Sequence, residues 1–301
     1  MNKINIDFVS KFKLANILSI SFFAVSIFFI YFKGLNYGID FKGGTLIELR
    51  VDNKVEASSI RSSLNTMNLG DINVKKFGKE GDYLIKIEQK NTNNNLIPKI
   101  KKKLSDNLNS EINFRRVESV GPKVSAELLE SSIIAITLAL TAMLFYIWIR
   151  FEWQFSVGSI IALFHDVTIT LGIFSILSLE INLSIIAAVL TIVGYSMNDT
   201  VVIYDRIREN LNKYTKISID EIANLSINET LSRTIITSVT TLLALFSIYI
   251  LGGEILRGFS FAMILGVLIG TYSSIFVASP ILKYFKVSYK TLEKEEEKIV
   301  P

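Results

Sequence analysis

The sequence predicts an α-helical polytopic membrane protein with six transmembrane helices and one small exported α/β domain. Three observations lead to this fold class. The 301 residues are 50% hydrophobic, with a mean hydropathy of +0.42. The apolar residues occur in runs near twenty long, the length that a helix needs to cross a hydrocarbon core of about 30 Å. A polar segment of about a hundred residues separates the first run from the second.

The apolar runs define six predicted spans. They cover about residues 14–32, 132–149, 157–178, 183–204, 234–251 and 260–282. Basic residues precede the first run, as in a signal peptide, but its nineteen residues and the lack of an A-x-A site favour a retained signal anchor. The predicted domains are a cytoplasmic N-terminus (1–13), the first span (14–32), an exported domain (33–131), a five-helix membrane domain (132–282) with a cytoplasmic loop (205–233), and a cytoplasmic tail (283–301).

Basic residues in the short flanks predict the orientation of the spans. Lysines precede the first span and follow the sixth, and five basic residues lie between spans four and five. The opposite flanks, 179–182 and 251–258, carry one arginine between them. Both termini are therefore expected in the cytoplasm, and the long polar segment is expected to be exported.

The exported segment has the pattern of a small α/β domain. Strands are predicted at 45–52, 72–78, 82–89 and 111–120, and helices at 54–68 and 94–109. The order β-α-β-β-α-β is that of a ferredoxin-like unit.

Composition and motifs exclude several classes of function. The chain has no cysteine, and its single histidine, His165, cannot assemble a His-based metal site. The phosphate-loop, dinucleotide and H-E-x-x-H motifs are absent. The net charge of +4 comes without a basic stripe interleaved with aromatic residues, so nucleic acid is not an expected partner. We therefore predict a non-enzymatic protein without a metal or cofactor, whose work is driven by an ion gradient.

Asp199 is the polar residue that a bilayer should penalise most. It lies five residues before Tyr204, about 7.5 Å inside the predicted cytoplasmic end of span four. Burial favours the neutral form of a carboxylate and a nearby cation favours the charged form, so a small rearrangement can change its protonation. This position favours the interpretation of Asp199 as a proton carrier over its interpretation as a helix-end carboxylate that is hydrated at the cytoplasmic loop. Four residues share its side of the helix: Thr191, Tyr195, Asn198 and Val202.

Arg233 begins span five, and two interpretations of it stay open on spacing alone. It is either an arginine that extends to the membrane interface, or a cation that reaches Asp199 across neighbouring helices. Hydroxyl-bearing and small residues continue its face: Thr237, Thr240, Thr241 and Ala244.

His165 and Asp166 lie about nine residues into span three. Adjacent side chains point about 100° apart on a helix, so the two are not expected to face each other. Asp166 is predicted to serve ion coupling, whereas His165 is predicted to be structural.

Small residues recur at every fourth position of span six, which predicts close helix packing rather than a ligand site. They are Ala262, Gly266, Gly270 and Ser274. Gly194 in span four is predicted to serve packing as well.

Six segments of the chain have a distinctive sequence. They are YGIDFKGGTLIELR (37–50), VESVGPKVSAEL (117–128), FHDV (164–167), VGYSMNDTVVIYDRIREN (193–210), NETLSRTIITSVTTLLAL (228–245) and RGFSFAMILGVLIGTYSSIFVASPIL (257–282). In this order and over nearly the whole chain, they resemble the SecD/SecF family of accessory Sec translocase subunits. Six spans with one short exported domain are similar to the SecF branch and not to a fused SecD–SecF chain.

The resemblance implies a fold, a function and partners. The fold is half of an RND-type bundle, which pairs with SecD to make a twelve-helix unit. Such a pair uses the gradient of H⁺, or of Na⁺ in some members, to complete polypeptide export through SecYEG. The implied location is the bacterial inner membrane. The implied partners are SecD, SecYEG, YajC, YidC, the unfolded polypeptide in transit and membrane lipid.

The resemblance also assigns residues, and two other functions stay open beside it. The family's motif carboxylate falls on Asp199 and its span-five arginine on Arg233, Asn198 joins them in the ion-coupling set, and Asp166 matches a motif position whose role is open. The alternatives are an RND-type half-transporter for a small molecule or lipid, and a passive scaffold in which Asp199 and Arg233 form a structural salt bridge. The motif that opens the exported domain contributes Gly38, Asp40, Gly43 and Gly44.

Overall fold

The structure, a computed structural model, describes residues 5–52, 55–67, 69–88, 96–108, 110–289 and 291. Parts of several predicted segments lie outside the described residues. They are the first four residues of the N-terminus, the ends of the two predicted domain helices (54, 68, 94, 95 and 109), the end of the third strand (89), and residues 290 and 292–301 of the tail.

The described elements follow one another in the order that the sequence predicts. In chain order they are α1 (Val9–Phe32), β1 (Asn36–Tyr37), α2 (Ile39–Lys42), β2 (Gly44–Arg50), α3 (Ala57–Asn65), β3 (Ile72–Lys76), β4 (Asp82–Ile87), α4 (Leu96–Leu108), β5 (Asn113–Val120), α5 (Pro122–Arg150), α6 (Trp153–Ile176), β6 (Glu180–Ile181), α7 (Leu183–Lys213), α8 (Ile219–Leu251), α9 (Gly253–Ser273), a π-helical turn (Ser274–Ala278) and α10 (Ser279–Tyr284).

Six helical stretches in the described part of the chain are long and apolar enough to cross a membrane, which confirms the predicted number of spans. They are α1, α5, α6, α7, α8 and the continuous stretch formed by α9, the π-helical turn and α10. Most of them run several residues beyond the apolar runs, because polar residues end an apolar run without ending a helix.

The segment 205–233, which connects spans four and five, is helical except near residues 214–218. The hydroxyl of Ser218 accepts a hydrogen bond from the Glu221 amide at 3.3 Å and so caps the first turn of α8. An ion pair from Arg206 of α7 to Glu229 of α8 at 2.6 Å lies beside buried apolar residues of the same stretch.

Packing divides the chain into two units. The α/β unit comprises Asn36–Ala135 and the short segment Glu180–Leu183, and the membrane unit comprises the rest. The sequence predicts the exported domain at 33–131, and no sequence pattern indicates that the segment Glu180–Leu183 packs with it.

The α/β unit contains an antiparallel sheet of four strands in the order β3-β4-β2-β5. The βαββαβ order and this strand order are those of a ferredoxin-like domain, as predicted. Strand β2 is central and carries a bulge at Glu48–Leu49 opposite β5. One face of the sheet forms the core with α3 and α4, and each fully buried aliphatic side chain there contributes about 1.5–3 kcal/mol. The fully buried residues include Ile47, Leu49, Ile60, Leu64, Ile85, Ile87, Ile100 and Leu104.

In the membrane unit, α7 packs closely against α9 because α9 presents glycines to it. A Cβ on Gly266 would lie 2.2 Å from the Ile192 side chain, and one on Gly270 would lie 2.9 Å from Ser196 Cβ. Such contacts leave no room for a larger residue, and Ala262 on the same face is fully buried.

Gly194 does not share this packing. A Cβ at Gly194 would meet no atom of the described chain within 4 Å, because this side of α7 faces outward. The predicted packing role of Gly194 within the chain was therefore wrong.

Candidate ion-coupling site

Two carboxylates lie buried in the membrane unit, Asp166 on α6 and Asp199 on α7. Asp166 is 0% exposed and Asp199 is 2% exposed. A charged carboxylate near the centre of a bilayer costs about 2.5–3.5 kcal/mol on insertion scales, so such residues need polar partners. The partners differ between the two.

Asp166 is held by three donors from three helices. Its Oδ2 accepts from Ser196 Oγ of α7 at 2.5 Å and from Ser273 Oγ of α9 at 2.7 Å. Its Oδ1 lies 2.9 Å from Nδ1 of His165. Hydrogen bonds to a carboxylate are short and strong, so Asp166 joins α6, α7 and α9 at one point.

The expectation that His165 and Asp166 do not face each other was wrong. Both side chains have torsional freedom beyond Cβ, which lets the imidazole turn along the helix toward the carboxylate. An ionised carboxylate can only accept, so Nδ1 is the donor of this hydrogen bond. The other ring nitrogen, Nε2, is buried with no hydrogen-bond partner among the described residues. The ring stacks on Phe23 of α1 at 6.4 Å between centroids.

Asp199 has weaker partners. Its Oδ2 lies 3.5 Å from Thr271 Oγ1 of α9, at the limit of a hydrogen bond. Thr271 Oγ1 is in turn 2.7 Å from Ser238 Oγ of α8. A chain of two hydroxyls therefore leads from α8 through α9 to the carboxylate.

Thr271 and Ser238 were missed in the sequence, because the face of α8 was assigned from Arg233. The positions on the Arg233 side are partly or fully exposed, and the hydroxyls of Thr237 and Thr240 bond to carbonyls of their own helix. The inward face is instead Thr234, Ser238 and Leu245, whose spacing of four and seven is the helical signal that could have found it.

Arg233 faces outward on α8. Among the described residues, no hydrogen bond or ion pair within 4.0 Å joins it to Asp199. A direct pair between the two stays a prediction.

Asn198 and two neighbours on α7 form an outward polar face. Asn198 is exposed together with Thr191 and Gly194. Tyr195 lies beside them, and its buried hydroxyl has no partner in the part of the chain that the structure describes. Arg233 adds a cation to the outward surface from α8.

The charged end of α7 is tied to its neighbours by ion pairs. Asp205 pairs with Arg150 of α5 at 2.8 Å, and Arg208 pairs at 2.9 Å with Glu152, which directly precedes α6. These contacts give the motif DRIREN a structural role, because they fix the helix that carries Asp199. The structure places Gly38, Asp40, Gly43 and Gly44 in the α/β unit. No set of three His, Asp or Glu side chains in the described ranges converges as metal ligands would.

Comparison with known proteins identifies the family. Residues 99–288 match the family described as "Protein export membrane protein SecD/SecF, C-terminal", and residues 28–55 match the "SecD/SecF GG Motif". The chain is 47% identical to the protein translocase subunit SecF of Rickettsia bellii (strain OSU 85-389) over 286 residues, which is 94% of each chain. It is 45% identical to SecF of Rickettsia rickettsii (strain Sheila Smith) over 298 residues, which is 97% of each chain.

Two solved structures share the fold. SecDF from Thermus thermophilus, a translocon-associated membrane protein, is 35% identical with a TM-score of 0.86; the match covers 94% of this chain and 39% of SecDF. SecDF in a super-membrane-facing form is 34% identical with a TM-score of 0.70, and the match covers 98% of this chain and 40% of SecDF. The chain thus spans about two fifths of the length of SecDF. These likenesses confirm the predicted fold class, half of an RND-type bundle with a ferredoxin-like domain, and the chain belongs to the SecD/SecF family of protein export membrane proteins.

Proposed function

We propose that this chain is the SecF-type subunit of a bacterial Sec translocase. Together with a SecD-type partner it uses a gradient of H⁺ or Na⁺ to drive the late stage of polypeptide export through SecYEG. The observation that carries the proposal is Asp199, a buried carboxylate in the membrane unit that has hydroxyl contacts but no direct cation partner among the described residues.

The surroundings of Asp199 suit a group that changes its protonation. Burial disfavours the charged form of a carboxylate and a nearby cation favours it, so a movement of Arg233 toward or away from Asp199 would change which form is stable. The Thr271 hydroxyl can donate to the charged carboxylate or accept from the neutral acid, and Ser238 can complement either orientation of Thr271, since a hydroxyl does both. An ion that binds one arrangement better than the other shifts the population between them.

The outward polar face supports a membrane partner. Thr191, Gly194 and Asn198 on α7 and Arg233 on α8 are exposed within spanning helices, where lipid cannot satisfy polar groups. The chain also matches only 39% of SecDF, so the matched structure contains other elements. A SecD-type half that covers this face would complete the enclosure of Asp199.

The remaining assignments belong to the same proposal and rest on the family. Both termini are cytoplasmic, the protein lies in the inner membrane, and the α/β unit is exported and meets the unfolded polypeptide. SecYEG, YajC and YidC are the further partners, the chain carries out no enzymatic reaction, and it needs no cofactor beyond the coupling ion.

Two alternatives predict different behaviour. A half-transporter for a small molecule or lipid requires a substrate route, for which the single α/β unit of this chain gives no support. A passive scaffold requires Asp199 and Arg233 to form a structural salt bridge, and the lack of a direct pair between these two described residues weighs against it.

The test is export of a stalled precursor by inner-membrane vesicles that contain the chain and its SecD-type partner, with and without an imposed gradient. We expect the gradient to accelerate late translocation in the wild type and to have no effect with Asp199→Asn. The matched control is Asp106→Asn, at an exposed carboxylate on α4 outside the spanning helices. If the Asp199→Asn protein keeps its gradient response at matched protein levels, the passive scaffold becomes the favoured function.

A further inference from the structure

A short parallel sheet joins the segment after α1 to the segment between α6 and α7. Strand β1 pairs with β6 so that Asn36 lies opposite Glu180 and Tyr37 lies opposite Ile181. The Gly38 amide extends the pairing by donating to the Ile181 carbonyl at 2.9 Å. The paired residues Asn36 and Glu180 are 144 residues apart in sequence, so their pairing is a tertiary connection within the α/β unit.

Asp40 continues this connection into α7. Its Oδ2 accepts a hydrogen bond at 2.9 Å from the backbone N–H of Leu183, the first residue of α7. The first N–H groups of a helix have no partner within the helix, and a carboxylate there also interacts favourably with the helix dipole. Helix caps usually come from the residue just before the helix. Here the acceptor comes from a distant segment, so the cap also ties α7 to the α/β unit.

Lys86 holds the same connection from the main sheet. Its side chain, 7% exposed, lies on β4, and its Nζ donates to the Tyr37 carbonyl at 3.2 Å. The ammonium group also lies 3.7 Å from Glu88 and 4.0 Å from Glu180. A lysine is rarely so buried unless paired, and this one contacts β1 by a hydrogen bond and β6 by charge.

Two glycines fix the short helix α2 that carries Asp40. Gly43 and Gly44 have φ values of +76° and +128°, and a Cβ on Gly44 would lie 2.5 Å from the Ile87 carbonyl oxygen. Other residues rarely adopt these conformations. Ile39 and Phe41, on either side of Asp40, are buried. Asp40 is therefore presented to α7 by a rigid segment.

Helix α7 is continuous from Leu183 to Lys213, and Asp199 lies sixteen residues after Leu183. At 1.5 Å per residue this is about 24 Å along one helix. We propose that Asp40 is a positioning residue that keeps the first turn of α7 attached to the α/β unit throughout the ion-driven cycle, so that a displacement of either is transmitted to the other along α7. This inference rests on the proposed function, because it gives Asp199 a mechanical connection to the α/β unit.

The first test removes the cap and then restores it. In vesicles with the SecD-type partner, Asp40→Ala is expected to lower gradient-stimulated export about tenfold without changing the amount of protein or its association with the partner. Asp40→Asn, which keeps an acceptor oxygen, is expected to retain most of the stimulation. Asp106→Ala, at an exposed carboxylate on α4, is the matched control. Full stimulation with Asp40→Ala would overturn the proposal.

The second test uses the absence of cysteine from the chain. Tyr37→Cys with Ile181→Cys places two thiols opposite each other on neighbouring strands about 4.8 Å apart, within the range of a disulfide. If the attachment persists through the cycle, the oxidised double-cysteine variant keeps its gradient response. When the two cysteines are combined with Asp40→Ala, oxidation restores the gradient response and reduction removes it again. The two single-cysteine variants are the controls. Export that stops on oxidation and recovers on reduction would show that the strands separate during the cycle, and would overturn the proposal.

A third readout separates this inference from the proposed function. The rate at which the disulfide forms under mild oxidant reports how firmly β1 and β6 are held and does not depend on export. We expect Asp40→Ala to slow disulfide formation severalfold. The same slowing is expected when Asp199→Asn is also present, whether or not that substitution abolishes ion coupling. An unchanged rate overturns the role of Asp40, whereas a gradient response that survives Asp199→Asn overturns only the proposed function.

Discussion

The two units provide buried carboxylates with different kinds of partner. In the α/β unit, Asp82 is 3% exposed and accepts from Arg50 Nε at 2.6 Å and from Arg115 at 3.3 Å. In the membrane unit, Asp166 and Asp199 are at least as buried, and neither has a lysine or arginine in direct contact among the described residues. The carboxylate of the α/β unit is thus paired with two cations, which serves stability, whereas those of the membrane unit have hydroxyls and, at Asp166, the imidazole of His165 as partners.

Asp166 and Asp199 differ in turn. Asp166 has three donors at 2.5–2.9 Å, whereas Asp199 has one hydroxyl at 3.5 Å. The first arrangement holds three helices together, and the second leaves the carboxylate weakly bound. We therefore expect substitutions at Asp166 to act mainly on stability and substitutions at Asp199 to act mainly on coupling.

The largest expected effect on stability is that of Asp166→Ala. It removes the acceptor of Ser196, Ser273 and His165. The Ser273 hydroxyl can still donate to the Gly270 carbonyl at 3.1 Å, but the buried donors of Ser196 and His165 lose their acceptor, at about 1–3 kcal/mol for each group. Thermal unfolding in detergent should show a loss of several kcal/mol, and Asp166→Asn a smaller one. A variant as stable as the wild type would mean that Asp166 is not the junction of α6, α7 and α9.

A second expected effect concerns Asp82 and pH. Hydrogen bonding to Arg50 holds the pKa of the Asp82 carboxyl below its ordinary value. The stability that this provides is complete above the unfolded pKa, near 3.9, and is lost as the pH falls through the lower folded pKa. Hydrogen exchange of strands β2 and β4 should therefore show wild-type protection that exceeds that of Asp82→Asn at pH 6, with the difference shrinking below about pH 4. A difference independent of pH would contradict the charge pairing.

The third prediction concerns the hydroxyl chain to Asp199. Thr271→Val keeps the shape of the side chain and removes the hydroxyl that contacts both Asp199 and Ser238. We expect gradient-stimulated export to fall about tenfold and its pH dependence to shift, with Thr271→Ser close to the wild type. The matched control is Thr240→Val, whose hydroxyl bonds only within α8. Equal losses of gradient-stimulated export with Thr271→Val and Thr240→Val would show that the hydroxyls of Thr271 and Ser238 have no specific part in the mechanism.

The smallest expected effect is that of Asp199→Asn on stability. Because the carboxylate has no cation partner in direct contact, an amide of the same shape should change the free energy of unfolding by less than about 1 kcal/mol. The same thermal unfolding experiment tests this beside Asp166→Ala. A loss as large as that of Asp166→Ala would erase the distinction between the two carboxylates.

Much of the fold followed from periodicity alone. Apolar run lengths predicted the six spans, and alternation predicted the strands of the ferredoxin-like domain. Asp199 was identified by its depth in an apolar run. These features depend on each segment by itself, so a single sequence contains them.

The remainder of the site depends on which helices are neighbours. Serine and threonine are common in spanning helices, so nothing in the sequence distinguishes Ser196, Ser273 and Thr271 from hydroxyls that bond to their own backbone. The contact between His165 and Asp166 depends on side-chain torsions, which spacing does not describe. The connection from Asp40 to Leu183 crosses 143 residues, and only the fold brings its ends together.

The π-helical turn at Ser274–Ala278 has a consequence for how the last span tolerates change in length. Such a turn holds one residue more than an α-helical turn, and here the hydroxyl of Tyr204 donates to the Ala278 carbonyl at 2.8 Å. Deleting one residue from the turn would restore an α-helical turn and leave both flanks close to their present orientation, whereas deleting a residue from the regular α-helix would rotate everything beyond it by about 100°. Thr271 and Ser273 lie just before the turn and Pro280 just after it, so a deletion within the turn keeps the hydroxyls and the terminus in register. Among deletions of one residue in the last span, one within Ser274–Ala278 should therefore be tolerated better than one within Gly253–Ser273.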